Sequence, residues 1–127
     1  KNRENMCQDT LYVVTGCYFG NGYTTTYDGY YGNNADPASK ICPVPTHYFK
    51  VVLRTRSGNS GKAVGQCGSD ELKAIGFWLE HRNDYPQTFS TEYCKSVEYI
   101  EQQTGFTFFP SVPKEVKKQC TPSDWVL

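Results

Sequence analysis

The sequence predicts an α+β fold: a mainly antiparallel sheet with one or two short helices, long Gly/Tyr-rich loops and disulfide staples. Three observations carry this expectation. Short runs of β-branched and aromatic residues stand at 11–15, 46–54 and 73–79, turn-forming residues crowd the gaps between them, and helical signals gather only after the last run. Ten Tyr, seven Phe and eleven Gly favour the same picture of strands joined by long loops.

Leu11-Tyr12-Val13-Val14-Thr15 is almost wholly apolar and reads as a strand buried on both faces, ended by Gly16. Residues 17–43 then hold Gly20-Asn21-Gly22, Asp28-Gly29, Gly32-Asn33-Asn34 and Asp36-Pro37. Within this excursion Thr24–Tyr27 can form one arm of a small hairpin. Loops of this length are usually functional or stapled, and Cys17 and Cys42 bracket it.

Thr46–Arg54 is the second strand. Phe49, Val51 and Leu53 alternate with Tyr48, Lys50 and Val52, which puts the first set on one apolar face. Pro43 and Pro45 stop a helix from reaching it. After a Gly-rich loop at 57–68, Lys73–Leu79 reads as a third, buried strand, and Asp84–Ser90 as a loop broken at Pro86.

Ser96 is placed to cap a helix over Val97–Thr104, with Glu98 suiting the positive end of its dipole and Gly105 terminating it. Val97, Ile100 and Thr104 form the inward stripe, and Phe106, Phe108 and Phe109 are expected to fold back onto the sheet. Pro113 opens a second short helix through Lys118. No repeat, linker or low-complexity segment divides the chain, so residues 1–127 are read as one unit.

Thirteen Lys and Arg balance thirteen Asp and Glu, giving a net charge of zero. That argues against a freestanding nucleic-acid binder, which would carry a basic field, and less against an enzyme whose phosphate contacts are confined to a cleft. No apolar run approaches the roughly 18 residues that span a membrane, so no membrane span is expected. Lys1-Asn2-Arg3-Glu4-Asn5 offers neither an initiator Met nor an apolar leader, as in a mature product or a fragment.

The six cysteines are Cys7, Cys17, Cys42, Cys67, Cys94 and Cys120. None forms a Cys-x-x-Cys pair and no His stands near one at zinc-finger spacing, which argues against a thiolate metal site. An even, dispersed set reads as up to three disulfides and places the chain outside the cytosol: secreted, periplasmic or at a cell surface. Sequence leaves the connectivity open. Cys17–Cys42 is the favoured pair because it closes one loop between two strands able to lie side by side.

Two histidines are available for chemistry. His81 lies in Glu80-His81-Arg82-Asn83-Asp84, where the carboxylates could ligate a cation and Arg82 could hold a phosphate; a solvated charge cluster is the plainer reading. His47 shares the apolar face of the second strand and reads as a hydrogen-bonded strand residue. Lys50, Arg54 and Arg56 have the even spacing that puts them on one face, where they could meet backbone phosphates. Tyr-rich residues 18–31 could stack on bases, although covering loop backbone is the simpler role.

Leu-Tyr-Val-Val-Thr-Gly (11–16), Val-Pro-Thr-His-Tyr-Phe-Lys-Val-Val-Leu (44–53) and Thr-Gly-Phe-Thr-Phe-Phe-Pro (104–110), in this order and spacing, resemble the C-terminal half of the DNA/RNA non-specific endonucleases, the ββα-metal nucleases. The resemblance covers roughly residues 10–120. It implies hydrolysis of phosphodiester bonds in DNA or RNA without sequence preference, by a water activated with Mg²⁺ or another divalent metal and deprotonated by a His. That family's Asp-Arg-Gly-His motif and metal-holding Asn would lie before Lys1. The resemblance therefore implies no catalytic or metal-binding residue in this chain, an inactive chain on its own, and the upstream catalytic half of the same protein as its partner. Cys17 departs from the Pro frequent after Thr-Gly in the family. The alternative is a disulfide-stapled extracellular binding module that keeps a nuclease-like scaffold without catalysis.

Overall fold

The computed structural model describes residues 10–21, 24–27, 41–56, 61–82, 84 and 88–125. Its centre is a four-stranded antiparallel sheet in the order β1-β4-β5-β6. These strands are β1 (Tyr12–Tyr18), β4 (His47–Thr55), β5 (Leu72–Glu80) and the short β6 (Cys94–Lys95). Between β1 and β4, β2 (Thr24–Tyr27) and β3 (Ile41–Val44) pair as a separate two-stranded antiparallel sheet. Two helices follow, α1 (Val97–Thr104) and α2 (Lys114–Lys117).

The pleat of β4 and β5 gives the sheet two distinct faces. Phe49, Val51 and Leu53 of β4, with Leu72 and Ala74 of β5, join Val97, Ile100, Phe108, Val112 and Val116 in the main core, so both helices lie on this face. The opposite face carries a second cluster, Val52, Ile75 and Cys94, on which Phe77 and Trp125 pack. A chain this short covers both sheet faces by laying its helices on one and its last described turn on the other.

Helix α1 has the predicted bounds. The Ser96 hydroxyl accepts the Tyr99 amide at 3.0 Å, and Gly105, at φ 75°, closes the helix in the left-handed region. Val97 and Ile100 are fully buried, while Thr104 returns its hydroxyl to the Ile100 carbonyl at 2.7 Å. Gly76 is what allows this packing: a Cβ there would lie 2.5 Å from Ile100 Cδ1. Helix α2 is one turn, shorter than expected by a residue at each end, with Pro113 and Lys118 as its caps.

Four expectations are corrected. Strand β1 runs through Gly16 to Tyr18, because the Phe49 ring lies across Gly16 and fills the place of its missing side chain. Among the described residues β1 is also an edge strand, paired with β4 alone, and Leu11, Tyr12, Val13 and Val14 are 37–47% exposed, not buried on both faces. Of the three phenylalanines after α1, Phe108 is buried against Phe49 and Phe109 packs on the core, but Phe106 stays 59% exposed. Finally, Cys17, Cys67, Cys94 and Cys120 are free thiols, so the Cys17–Cys42 bridge is not formed. Cys17 sits opposite Tyr48 in the four-stranded sheet, whereas Cys42 belongs to the two-stranded one. The Cys42 side chain and all of Cys7 lie outside the described residues, as do residues 22, 23 and 28–31 and the side chains of 24–27.

Candidate functional site

The polar side chains gather at the end of the sheet where β4 begins and β5 ends. Thr46, just before β4, ties three strands together there. Its hydroxyl accepts the Gly20 amide at 2.9 Å and donates to the Tyr18 carbonyl, its amide donates to the same carbonyl, and its own carbonyl accepts the His81 amide at 2.8 Å. Position 46 is conspicuous in sequence only as a β-branched residue ahead of a strand. The hub arises from three segments meeting in space.

His47 follows on the helix-bearing face. Its Nδ1 is hydrogen-bonded to the Thr46 hydroxyl at 3.0 Å, and its ring stacks on Trp78 at 4.9 Å and 24°. Trp78 in turn packs on Phe49 and meets Tyr99 edge-on. The imidazole is therefore held as part of an aromatic stack, which agrees with a strand histidine serving the fold.

His81 is one residue past β5 and exposed. Its Nδ1 donates to the Pro45 carbonyl at 3.0 Å and its ring meets Tyr48 edge-on. Glu80 faces a different way, into a cavity of about 270 Å³ that it shares with Glu92, three basic side chains (His47, Arg82, Lys95) and two aromatic ones (Trp78, Tyr93). Arg82 pairs with Asp84 at 3.4 Å and donates to the Tyr93 hydroxyl. Glu80, His81 and Asp84 thus diverge, and no group of three or more His, Cys, Asp or Glu among the described residues could hold a metal. Among the described residues this stretch offers a cation no convergent set of ligands. The cavity itself balances two carboxylates against basic groups, which favours neither an anion nor a cation.

The three basic residues of the second strand separate into two roles. Lys50 is exposed on the face opposite the helices, beside an apolar recess of about 340 Å³ formed with Phe77, Leu79 and Phe89, and Arg54 lies half-buried on the same side. Arg56 is committed to the fold: its Nε donates to the Leu72 carbonyl at 3.1 Å, Nη1 pairs with Asp124 at 2.9 Å and Nη2 reaches Gln119. Asp124 and Gln119 come from more than sixty residues downstream, which sequence spacing cannot reveal.

Sequence reading also missed a second tie. The Glu101 carboxylate accepts the Phe108 amide at 2.7 Å and pairs with the buried Lys117 ammonium at 2.8 Å, locking α1, the turn after it and α2 together. Near the 3-10 turn at Val64–Gln66, Lys62 pairs with Glu71, which also accepts the Gly68 amide. The Lys62 ammonium and the Gly68 N–H hold the Glu71 carboxyl below its ordinary value, and Glu71 raises Lys62.

An antiparallel sheet with two short helices on one face, and the 44–53 motif at its centre, defines an α+β scaffold. The chain belongs to the DNA/RNA non-specific endonuclease family, whose profile matches residues 1–115. It is similar to a venom phosphodiesterase of Naja atra, 29% identical over 126 residues, in a match covering 85% of this chain and 14% of that protein. In fold it is similar to a crystal structure of the EndoG/EndoGI complex, with a TM-score of 0.52, 17% identity, 84% of this chain covered and 38% of that one. The chain thus spans well under half the length of either relative.

Proposed function

We propose that this chain is the scaffold portion of a metal-dependent, sequence-non-specific endonuclease that hydrolyses DNA and RNA phosphodiester bonds. In this reading residues 1–127 act as one unit, and the Asp-Arg-Gly-His segment with the Mg²⁺ ligands belongs to polypeptide beyond them. Edge strand β1 carries the argument. Its Leu11–Val14 run has the apolar-on-both-faces chemistry of an interior strand, yet it is exposed and, among the described residues, no strand pairs with its outer edge and the strand itself holds no Lys, Pro or bulge. Such an edge suits a neighbouring strand from the rest of a family domain. The small share of each relative that this chain covers supports the same view.

In this reading the described residues contribute positioning. Thr46, His47 and the Trp78 stack hold the sheet end rigid, while Lys50 and Arg54 offer charge to a nucleic-acid backbone; Arg56 would add to that field only through its remaining exposure. The cation, when bound in the complete enzyme, would supply an activated water, and no described residue is assigned to it. A secreted, periplasmic or cell-surface location fits the six cysteines.

A second reading is favoured by the venom phosphodiesterase, in which the matching stretch is 14% of the protein. Here the unit is a non-catalytic extracellular module within a larger hydrolase. Digestion assays separate the possibilities. The 127-residue chain should leave supercoiled plasmid and RNA intact with Mg²⁺ or Mn²⁺, and a longer natural protein containing Asp-Arg-Gly-His should cut both. Metal-dependent cleavage by the chain alone that disappears in His81→Ala would overturn the scaffold assignment. A longer protein with no nuclease activity would favour the module.

A further inference from the structure

Among the described residues, the sheet face away from the helices is covered toward one end only. Trp125 packs there on Val52, Ile75 and Cys94, and Lys73 and Arg56 hold its turn through the Asp124 carbonyl and carboxylate. Toward the other end Lys50 and Tyr48 are exposed, set by the register opposite Phe77 and Leu79. Phe89, itself 49% exposed, meets the Phe77 ring edge to face at 5.5 Å and 74°. Lys50, Phe77, Leu79 and Phe89 together wall the apolar recess of about 340 Å³.

The strands give this face charge of one sign. Lys50 and Arg54 of β4 and Lys73 of β5 share it by the pleat. The sole Asp or Glu in the four strands is Glu80, which lies in the cavity beside His47 and Trp78, on the helix-bearing side. Asp124, which the C-terminal turn brings to the lysine face, is paired with Arg56. A net charge of zero for the chain thus conceals a positive field over one side of the sheet.

Size and layout narrow the ligand. A recess this small holds one flat group, and two phenylalanines set edge to face offer it a ring to stack on and an edge beside it. A single aromatic anion would need Lys50 alone. Arg54 lies four residues further, about 13 Å along the strand, with Lys73 opposite it, so the cations form a track. A track of cations beside an aromatic recess suits a polyanion that carries planar apolar groups.

We infer that this face binds single-stranded nucleic acid, with one unstacked base in the recess against Phe89 and the adjoining phosphate on Lys50. The inference rests on the nuclease reading for its ligand and adds the form of substrate, single strands before duplex. In a duplex the base faces are already stacked and cannot enter the recess. Charge alone would favour the duplex, whose phosphates are denser, so a preference for single strands isolates the stacking.

The test titrates the 127-residue chain, without divalent metal, into fluorescein-labelled oligothymidylate and into the same strand annealed to oligoadenylate, and reads anisotropy. The single strand should bind at least about tenfold more tightly. Phe89→Ala and Phe89→Leu should each weaken it about 5- to 100-fold, the worth of stacking one base, while Phe89→Tyr keeps the ring and the affinity. Lys50→Ala should lower the slope of log affinity against log salt by about 0.7, one phosphate contact. Both positions are exposed, and circular dichroism melts check that each variant folds. Duplex bound as tightly as single strand, unchanged affinity in folded Phe89→Leu, or no binding of either oligomer would each overturn the inference. So would a dimer in sedimentation that Phe89→Ala disperses, since a second copy would then fill the recess. The nuclease reading fails separately, if the longer protein with Asp-Arg-Gly-His cuts neither plasmid nor RNA.

Discussion

Replacing Glu101 with Ala tests how the helices are fixed to the sheet. Glu101 is the common acceptor for the Phe108 amide and the Lys117 ammonium, whose side chain is only 9% exposed, against 19% for Glu101. Removing the carboxylate leaves a nearly buried cation and a backbone N–H without this partner. Breaking a buried pair from one side costs about 3–5 kcal/mol, and the residual exposure of both partners brings the expected loss to about 2–4 kcal/mol. With about 2.1 cal/mol/K of unfolding entropy per residue, a 3 kcal/mol loss lowers Tm by roughly 11 °C for a chain of this length. Urea unfolding and a thermal melt followed by circular dichroism measure both. Lys117→Met alone should cost less, about 1 kcal/mol, because Glu101 keeps the Phe108 amide and some water. Glu101→Gln combined with Lys117→Met should return to within about 1 kcal/mol of the parent, since the carboxamide still accepts that amide. A loss below about 1 kcal/mol for Glu101→Ala, or a double variant as unstable as the sum of the single ones, would refute the reasoning.

His47→Ala removes the hydrogen bond to Thr46 and the stack on Trp78, so stability should fall by about 1–3 kcal/mol, while turnover per folded molecule of a complete enzyme changes less than about tenfold. A hundredfold loss at unchanged Tm would make it catalytic. Gly76→Ala forces a methyl against Ile100 Cδ1 and the Lys95 and Ser96 carbonyls; a loss of about 1–3 kcal/mol or more is expected in denaturant titration, and a neutral outcome would mean that α1 is free to shift. Glu71 should titrate below the usual carboxylate range by carbon-detected NMR. Its depressed carboxyl adds stability that is present above the unfolded value and is lost as pH falls through the folded one. Lys62→Ala should raise that midpoint without fully restoring it, because the Gly68 N–H remains; an unmoved midpoint would remove Lys62 as the main cause.

Helix α1 was legible to the residue because its signals are local. Ser96 and Gly105 satisfy the terminal backbone groups within one turn, and Val97 and Ile100 need only their spacing to share a face. Strand β4 was legible for the same reason, since the alternation of Phe49, Val51 and Leu53 with Tyr48 and Lys50 fixes its two faces whatever it pairs with. The family was legible in three motifs that keep their order and spacing, and the match over residues 1–115 agrees with them.

The rest depends on neighbours that no window of sequence contains. An apolar run has the same composition at a sheet's centre and at its edge, so only strand order showed that β1 is exposed. Arg56, spaced like a phosphate ligand, became a structural clamp because the chain returns with Gln119 and Asp124. Cysteine spacing favoured Cys17 with Cys42, but a bridge needs two thiols within reach of one another, and the fold sets Cys17 in the four-stranded sheet and Cys42 in the two-stranded one. The sequence by itself determined helix α1, the two faces of β4 and the family. Tertiary structure decided the partners, because long-range contacts are set by which faces must be covered, and that is a property of the whole sheet.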